Sequence, residues 1–514
     1  MDTWTILLTF AALIGSLYYW LTRKNYFEKH GIIHKKPLPF LGNSAGVIFR
    51  TQSFADYVQE VYDLHKEAKY VGFYDFEVPV IMIRDPELIK TITVKHFDHF
   101  VDHRTFVDVD MDPFFGGNLF ALKGKKWREM RNLLSPAFTS SKMRGMFKLM
   151  SNCAENFADY FASEAGNKEL EVNSKDIFTR YTSDVIGTCA FGVAVDSMRN
   201  PNNDFYILGR KATTFTGFVF LKFFIVRRFP ALAKLLGLKL IDQKVQDFFN
   251  ELIKNTVETR DREGITRPDM IQLMMEARNN KSGEGPNLTI QEMTAQAFIF
   301  FFGGFDTTSA LMCFVAHLIA LYPEVQEKLQ QEVDEVYEKC QENVTYEAIN
   351  DMPYLEAVLY EAMRVYPIGP GLDRVCTQSF ELPPALPGKK PIVLQPGDCF
   401  SLPVYPLHRS SEYFPDAEKF YPERFIEDPK GTLHNPAFMP FGIGPRMCIG
   451  NRFALLETKV LIFHLIAKCS LEIGNKMTLP LKLCTKTFAM TAAGGFWLRL
   501  TPRNKWQIKN SKLD

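Results

Sequence analysis

Apolar residues recur at helical spacing over most of the chain, and strict alternation is confined to short stretches. From about residue 54 to residue 360, apolar positions repeat every three or four residues between turn clusters, as in amphipathic helices. Short β-like segments are predicted at residues 71–74, Val78–Ile83, Ile392–Leu394 and residues 496–500. The pattern therefore predicts a mainly α protein with small β-sheets.

The longest predicted helix begins at Thr289 and stops before Pro323, which cannot continue a helix. Thr289 and Glu292 have the spacing of a capping box. Residues 298–308 are apolar on almost every face, which indicates a buried helix.

Gly303 and Gly304 interrupt this helix, each at a cost of roughly 1 kcal/mol relative to Ala. Either another group approaches the backbone closely there or the helix opens locally. Asp306 and Thr307 follow directly and indicate a polar pocket inside the core. A helix crossing with a kink is the alternative explanation.

A second helix is predicted after Asp351, taken as its N-cap, with Pro353 in the first turn. Glu361 and Arg364 lie three residues apart on one face of that helix, among apolar neighbours. This arrangement predicts a structural ion pair, which Arg424 could join from a later aromatic segment.

The amino end carries an uncharged apolar run over residues 4–21, followed by Arg23 and Lys24. Its length is close to that needed to cross a bilayer, and an aromatic cluster at residues 18–20 closes it. A cleaved signal peptide would instead need basic residues before the run and a small-residue site after it. We therefore expect a retained anchor at residues 1–24 and a proline hinge at residues 25–43.

The remaining residues, 44–514, are predicted to form one large domain, because no Pro/Gly/Ser linker or repeat divides them. The net charge of +1 offers no basic stripe, which argues against nucleic acid as a partner. The nine cysteines show no CxxC pair, so neither a disulfide framework nor a zinc site is indicated.

Cys448 differs from the other cysteines in its surroundings. It lies within Pro-Phe-Gly-Ile-Gly-Pro-Arg-Met-Cys-Ile-Gly, residues 440–450, and a helical pattern begins at Asn451. Glycine and proline make this segment a rigid turn, and Arg446 adds a cation. The amino end of a helix favours a thiolate, and a thiolate suits a soft metal or haem iron. A buried free thiol would be the ordinary alternative for a lone cysteine.

The segment resembles the haem-binding loop of the cytochrome P450 superfamily, Phe-x-x-Gly-x-Arg-x-Cys-x-Gly. Every fixed position matches, namely Phe441, Gly444, Arg446, Cys448 and Gly450. Further motifs of that superfamily have counterparts in order along the chain: Trp127-x-x-x-Arg131, residues 303–308, Glu361-x-x-Arg364, Arg374 and residues 422–425 with Arg424. The overall pattern is most similar to insect detoxification members of clan 3, families 6 and 9.

The resemblance implies a cytochrome P450 fold that holds haem b between the long central helix and the helix after the cysteine. Cys448 would be the axial metal ligand in the loop that includes Phe441 and Gly450. The haem propionates would be bound by Trp127, Arg131, Arg374 and Arg446. Asp306 and Thr307 would be the catalytic residues that deliver protons for O2 activation.

The resemblance also implies partners and a location. Electrons would come from NADPH through NADPH–cytochrome P450 reductase, with cytochrome b5 as a second donor, and Lys459 is one candidate docking residue. The chain would sit in the endoplasmic reticulum membrane by its single anchor, with the catalytic domain on the cytosolic face. The apolar stretch at residues 215–228 would be a second contact with membrane lipid.

An aromatic pocket for a small lipophilic substrate is expected, although core packing is the alternative for each ring. Its candidate residues are Phe114, Phe115, Phe120, Phe302 and Phe305. The implied activity is monooxygenation of xenobiotics such as insecticides or plant toxins. A narrow hydroxylase of hormones, pheromones or fatty acids is the first alternative, and a non-catalytic haem sensor is the second.

Overall fold

The computed structural model describes residues 26–104, 109–166, 168–213, 229–267, 269–278, 288–341, 343–487 and 489–503, with positions 9, 14, 15, 18, 107, 222 and 225–227. The predicted anchor at residues 1–24 lies outside these residues except at four positions. Most of the predicted membrane contact at residues 215–228 also lies outside them.

Helices dominate the described part of the chain, as the sequence pattern predicts. The longer ones are α1 Phe54–Tyr62, α2 Gly124–Leu134, α3 Ser140–Ala165, α4 Ser174–Ile186, α5 Asp204–Thr213, α6 Gln243–Glu263, α7 Met270–Arg278, α8 Ile290–Phe302, α9 Thr308–Leu321, α10 Pro323–Lys339, α11 Pro353–Val365 and α12 Asn451–Lys468. Shorter α-helices span Tyr26–His30, Ala45–Ile48, Pro86–Lys90, Pro113–Gly116, Pro230–Leu235, Tyr346–Asn350, Val404–His408, Arg424–Glu427 and Pro429–Leu433. Wider π turns cover Thr91–Lys95, Gly187–Phe191 and Gly303–Thr307, and 3₁₀ turns cover Phe97–His99 and Ser135–Phe138.

Three small sheets complete the described fold. Their strands are β1 Tyr70–Asp75, β2 Val78–Ile83, β3 Leu170–Asn173, β4 Leu372–Val375, β5 Phe380–Leu382, β6 Ile392–Leu394, β7 Cys399–Leu402, β8 Cys469–Ile473 and β9 Trp497–Pro502. The first sheet has the order β1-β2-β7-β4, the second β3-β9-β8 and the third β5-β6. Strands β1 and β2 form an antiparallel hairpin, while β2 and β7 are parallel. The mainly α class with small sheets is confirmed.

The central helix runs through the main hydrophobic core. Helix α8 begins after Thr289, whose side chain forms the predicted capping box with Glu292, and α9 ends before Pro323. Among the described residues, Ile290–Leu321 is the helix long and apolar enough to cross a membrane, but 67% of its apolar window is buried inside the protein. Burial against protein on most sides identifies it as a core helix.

Both explanations for the glycine pair apply, one to each residue. The helix widens into a π turn over Gly303–Thr307, so the backbone opens locally. At Gly304, an added Cβ would lie 2.8 Å from Cδ1 of Ile186, so α4 packs directly on the backbone there. An added Cβ at Gly303 would meet no protein atom within 4 Å, so that face of the turn is open.

The predicted N-cap of α11 is wrong. Asp351 ends the preceding short helix, and the residue before α11 is Met352, which makes no side-chain cap. Glu332 of α10 serves instead, because its carboxylate accepts hydrogen bonds from the backbone N–H groups of Tyr354 and Leu355, both at 2.8 Å. Sequence spacing could not reveal a cap donated by a neighbouring helix.

Candidate functional site

The segment before α12 is a closed loop that presents Cys448. The backbone N–H of Cys448 donates to the carbonyl of Phe441 at 2.8 Å. Gly444 has φ +75°, and an added Cβ would lie 2.2 Å from the carbonyl oxygen of Thr93. Glycine is therefore required at this position both by conformation and by space. Gly450 is the N-cap of α12, so Cys448 stands at the amino end of that helix, as predicted.

The surroundings of the Cys448 thiol act on its pKa in both directions. The pKa is raised overall by desolvation from the surrounding protein, although the side chain is exposed at the surface of its pocket, while the hydrogen bond with the backbone of Gly450 and the positive charge of Arg131 act in the opposite direction. A metal ion at the sulfur would deprotonate it outright. The thiol therefore has the backbone and charge environment of a metal ligand.

Arg446 belongs to this loop, and its side chain is held by several backbone carbonyl groups of other segments. Its Nε donates to the carbonyl of Val101 at 2.7 Å, and one terminal nitrogen donates to the carbonyl of Leu122 at 2.7 Å. The guanidinium lies over the ring of Trp127, 4.1 Å from its centroid. Burial lowers the pKa of Arg446 to about 9, and the positive charge of Arg374 contributes to that shift.

Arg374 and Arg131 add positive charge at the same place. Arg374 is 1% exposed and its Nε is buried without a hydrogen-bond partner. Burial lowers the pKa of Arg374 to about 10, and that of Arg131 is also lowered by burial. Among the described residues, neither arginine forms an ion pair with a carboxylate. The nearby carboxylate of Asp373 instead accepts from the backbone N–H of Arg104 at 2.6 Å.

This donor set fits an iron porphyrin. A single thiolate donor suits haem iron, and an excess of buried guanidinium groups suits two carboxylate substituents. The Nε of Arg374, buried among these cations without a hydrogen-bond partner, is a donor from which a propionate oxygen would accept. Trp127, Arg131, Arg374 and Arg446 are therefore brought together as the sequence predicts.

The π turn carries the predicted proton-handling pair and a lysine that the sequence did not reveal. The hydroxyl of Thr307 donates to the carbonyl of Gly303. Nζ of Lys175 lies 2.9 Å from Oδ1 of Asp306, 2.9 Å from its carbonyl oxygen and 2.7 Å from Oγ of Ser309. Lys175 comes from α4, and no local pattern links it to a motif more than 130 residues away.

Two of the predicted pocket residues face the central helix. The ring of Phe114 meets Phe298 edge-on, with centroids 5.7 Å apart. Phe115 meets Phe302 in the same way at 6.3 Å. Phe115 and Phe302 are only partly buried and pack against the main core, so their rings lie at its edge.

Phe302 is itself one of the five predicted pocket residues, and the remaining two lie apart from Phe114, Phe115 and Phe302. Phe305 is fully buried and stacks on Phe301 at 4.8 Å, which places it within the core packing. Phe120 is 41% exposed and stacks on His103 at 4.9 Å. The structure therefore brings together only part of the predicted aromatic set.

Glu361 and Arg364 form a fully buried bidentate ion pair, with both N–O distances at 2.8 Å. Nε of Arg424 lies 3.5 Å from Glu361, so the third residue approaches the pair as predicted. Arg364 also donates to the carbonyl of His408 at 2.8 Å, which ties α11 to a distant segment.

Lys459 is not available for docking. It is 3% exposed and its Nζ lies 3.2 Å from a carboxylate oxygen of Glu356. The prediction that it contacts an electron donor is wrong, because its face of α12 packs against α11.

Comparison with known proteins agrees with this geometry. Residues 34–499 match the family described as Cytochrome P450. The chain is 42% identical to Cytochrome P450 9e2 of Blattella germanica, over 97% of this chain and 98% of that protein. It is 37% identical to Probable cytochrome P450 9f2 of Drosophila melanogaster, over 98% and 100%. It is 33% identical to Cytochrome P450 6j1 of Blattella germanica, over 97% and 98%.

The chain belongs to the cytochrome P450 family. Its similarity to members of families 9 and 6 confirms the resemblance drawn from the motifs. Membership supports an oxidoreductase of the monooxygenase class with a haem-thiolate cofactor.

Proposed function

We propose that this protein is an NADPH-dependent monooxygenase that inserts one atom of O2 into lipophilic foreign compounds, such as insecticides or plant toxins. The observation that carries the proposal is the cluster of buried arginines beside the Cys448 loop, with Nε of Arg374 unpartnered. When bound, the haem supplies the activation of O2 and the transfer of oxygen. The chain would supply the sulfur ligand of the iron, the side chains that bind the propionates, and the groups that deliver protons.

Each predicted site residue takes a role from its geometry in this proposal. The sulfur of Cys448 would ligate the iron from a loop closed by Phe441 and Gly450. The hydroxyl of Thr307, which donates to the carbonyl of Gly303, would hold a proton for the activation of O2. The carboxylate of Asp306 is 32% exposed and so can exchange protons with water while Lys175 holds its position.

The proposed substrate site is bordered by Phe115 and Phe302, with Phe114 behind them. Partly buried aromatic rings favour apolar molecules because both ring faces bury apolar area without needing hydrogen bonds. Similarity to relatives of families 9 and 6 over nearly their whole lengths is consistent with oxidation of lipophilic compounds.

We propose attachment to the endoplasmic reticulum membrane through residues 1–24, with the hinge at residues 25–43. Large apolar side chains are exposed where the described chain begins: Leu38 at 53%, Phe40 at 58% and Phe49 at 66%. A second exposed group surrounds the helix Pro230–Leu235, with Leu235 at 83% and Leu236 at 58%. Both groups would be stabilised by lipid rather than by water. NADPH–cytochrome P450 reductase and cytochrome b5 are the proposed electron donors.

The first experiment is a reduced CO difference spectrum of the full chain in membranes. The wild type is expected to show the Soret position of a thiolate-ligated haem. Cys448→Ser is expected to lose that band, whereas Cys340→Ser, at a partly buried cysteine after α10, is expected to keep it. A folded wild type without haem absorbance would contradict the proposal.

Turnover with purified reductase then separates the alternatives. A broad monooxygenase is expected to oxidise several unrelated lipophilic compounds and to consume NADPH faster in their presence. Oxidation of a single hormone, pheromone or fatty acid would instead identify a narrow hydroxylase. A haem protein that binds ligands without ligand-stimulated NADPH consumption would be a sensor.

The membrane proposal is tested by alkaline extraction of microsomes. The full chain is expected to stay with the lipid, because roughly 20 apolar residues anchor a protein effectively irreversibly. A chain that lacks residues 1–24 is expected to be extracted. Release of the full chain would show that residues 1–24 do not form an anchor.

A further inference from the structure

The loop of residues 112–122, here called the aromatic loop, has its shape set from within by Asn118. This side chain is fully buried. Its amide nitrogen donates to the carbonyl groups of Phe114 and Phe115, both at 3.0 Å. Its amide oxygen accepts from the backbone N–H of Phe120 at 3.0 Å. Asn118 therefore ties the two ends of the loop together, and whatever holds the loop in place also positions Phe114 and Phe115.

Gln296 attaches the aromatic loop to the central helix. It lies on α8 and is fully buried. Its Nε2 donates to the carbonyl of Gly117 at 2.9 Å, and its Oε1 accepts from the N–H of Leu119 at 2.8 Å. A primary amide can satisfy a donor and an acceptor at once, and both backbone groups would be costly to leave unpaired in the core. Few other side chains could hold both.

The aromatic loop is also bound by the Cys448 loop, residues 440–450. Arg446 donates to the carbonyl of Leu119 at 3.4 Å and to that of Leu122 at 2.7 Å. Leu119 is therefore bonded through its N–H to the central helix and through its C=O to the segment that presents Cys448. Loss of Gln296 would remove the loop's hydrogen bonds to the central helix and leave those from Arg446 in place.

We propose that Gln296 is a specificity-determining positioning residue. It sets the distance between the aromatic loop and α8, and so the position of Phe115 against Phe302 at the edge of the proposed substrate site. This inference rests on the proposed function, because it assumes that substrates bind beside these two rings. Gln296 itself need not touch a substrate; it acts through the loop.

Gln296→Met is the test variant, and Gln326→Met is its matched control. Gln326 is also a buried glutamine with two backbone bonds: its Oε1 accepts from the N–H of Leu471 at 2.7 Å and its Nε2 donates to the carbonyl of Leu471 at 2.9 Å. It joins α10 to β8, away from the aromatic loop. Each variant loses one donated and one accepted backbone hydrogen bond. A difference between the two variants therefore arises from where in the fold those bonds are lost.

Hydrogen exchange of the haem-loaded protein is the first readout. In Gln296→Met, amides of residues 113–122 are expected to exchange about tenfold faster or more, because one or two net hydrogen bonds are lost. In Gln326→Met, acceleration is expected around residue 471 and not in the aromatic loop. Equal protection of the aromatic loop in wild type and Gln296→Met would overturn the proposal.

Ligand binding and product distribution are the second readout. Gln296→Met is expected to change the affinity for bulky aromatic azoles and the ratio of oxidation products by several-fold. The affinity for imidazole, which needs little space, and the reduced CO spectrum are expected to stay as in wild type. Uniform changes for imidazole and bulky azoles, or changes equal to those of Gln326→Met, would show a merely structural role.

A conservative variant guards against a failure to fold. Gln296→Glu can accept from Leu119 and, when its buried carboxyl group is protonated, donate to Gly117. It is expected to restore most of the loop protection and of the wild-type product ratio. If wild type shows no thiolate spectrum, the proposed function fails, while the exchange experiment still decides whether Gln296 holds the loop.

Discussion

At the scale of single residues, the proposed proton handling involves groups that face each other across two helices. Asp306 has a carboxylate that can exchange with solvent, but Lys175 holds it through an ion pair and a backbone contact. The hydroxyl of Thr307 donates to a backbone carbonyl one turn back, a bond that serines and threonines often make within helices. Reorientation of this hydroxyl would free it for the substrate side.

Thr307→Ala is expected to keep the reduced CO spectrum and to lower product formed per NADPH by about tenfold or more, because a positioned proton donor is lost. Hydrogen peroxide is expected to account for the missing electrons. Thr294→Ala is the control, since Thr294 makes the same type of bond to Ile290 at 2.8 Å on the same helix. Unchanged coupling of NADPH use to product in Thr307→Ala would contradict this role.

At the scale of elements, buried polar groups fasten helices whose apolar faces alone would not fix their positions. Glu332 of α10 caps α11 through two backbone bonds, and Arg364 of α11 reaches the carbonyl of His408. The ion pair of Glu361 and Arg364 is fully buried, with both side chains 0% exposed. Such a pair is costly to break even where it adds little net stability.

Glu361→Gln is expected to lower the free energy of unfolding by about 3–5 kcal/mol, because it leaves the guanidinium of Arg364 buried without its counter-charge. Chemical denaturation of the haem-loaded protein measures the change. Glu347→Gln removes an exposed ion pair with Arg144, 2.7 Å apart, and is expected to have no measurable effect. Equal effects of the two variants would show that burial does not set the cost.

At the scale of the whole molecule, buried titratable groups make stability depend on pH. Burial lowers the pKa of His408 from 6.5 to about 3, that of His464 to about 3 and that of His317 to about 4. The unfolded chain takes up these protons below about pH 6.5 and the folded chain does not, so stability falls as the pH drops. Asp184 has the opposite effect. Burial raises its pKa from 3.8 to about 7, so within this range the folded chain keeps a proton that the unfolded chain releases. Stability therefore falls as the pH rises from 3.8 through 7.

Between pH 6.5 and 3, His408 makes the free energy of unfolding fall by about 1.4 kcal/mol for each pH unit of acidification. His408→Gln is expected to remove this part of the pH dependence. His408 accepts a hydrogen bond from the backbone N–H of Met439 at 2.9 Å, which a protonated ring could not do, whereas glutamine can. Denaturation between pH 7 and pH 4 measures the slope. His434→Gln, at an exposed ring, is the control, and parallel slopes for wild type and His408→Gln would contradict the prediction.

Local sequence was sufficient for features that depend on neighbours along the chain. The capping box at Thr289 and the glycine turns before Cys448 follow from steric and hydrogen-bonding limits within a few residues, whereas the sequence left open whether the helix opens at Gly303 or is approached there by another group. The motif order also led to the cytochrome P450 family, which the comparisons confirm. These signals are short in range and therefore readable in a single sequence.

Only the tertiary structure decided which distant groups meet. Lys175 pairs with Asp306, Glu332 caps α11, and Gln296 holds Leu119, although each pair is either far apart in sequence or unmarked by any periodic pattern. Sequence alone determined the mainly α class, the capped central helix and, through the family resemblance, the class of chemistry. The packing of helices decided which buried polar group satisfies which backbone atom, because burial makes every unmatched donor or acceptor costly and so selects one arrangement.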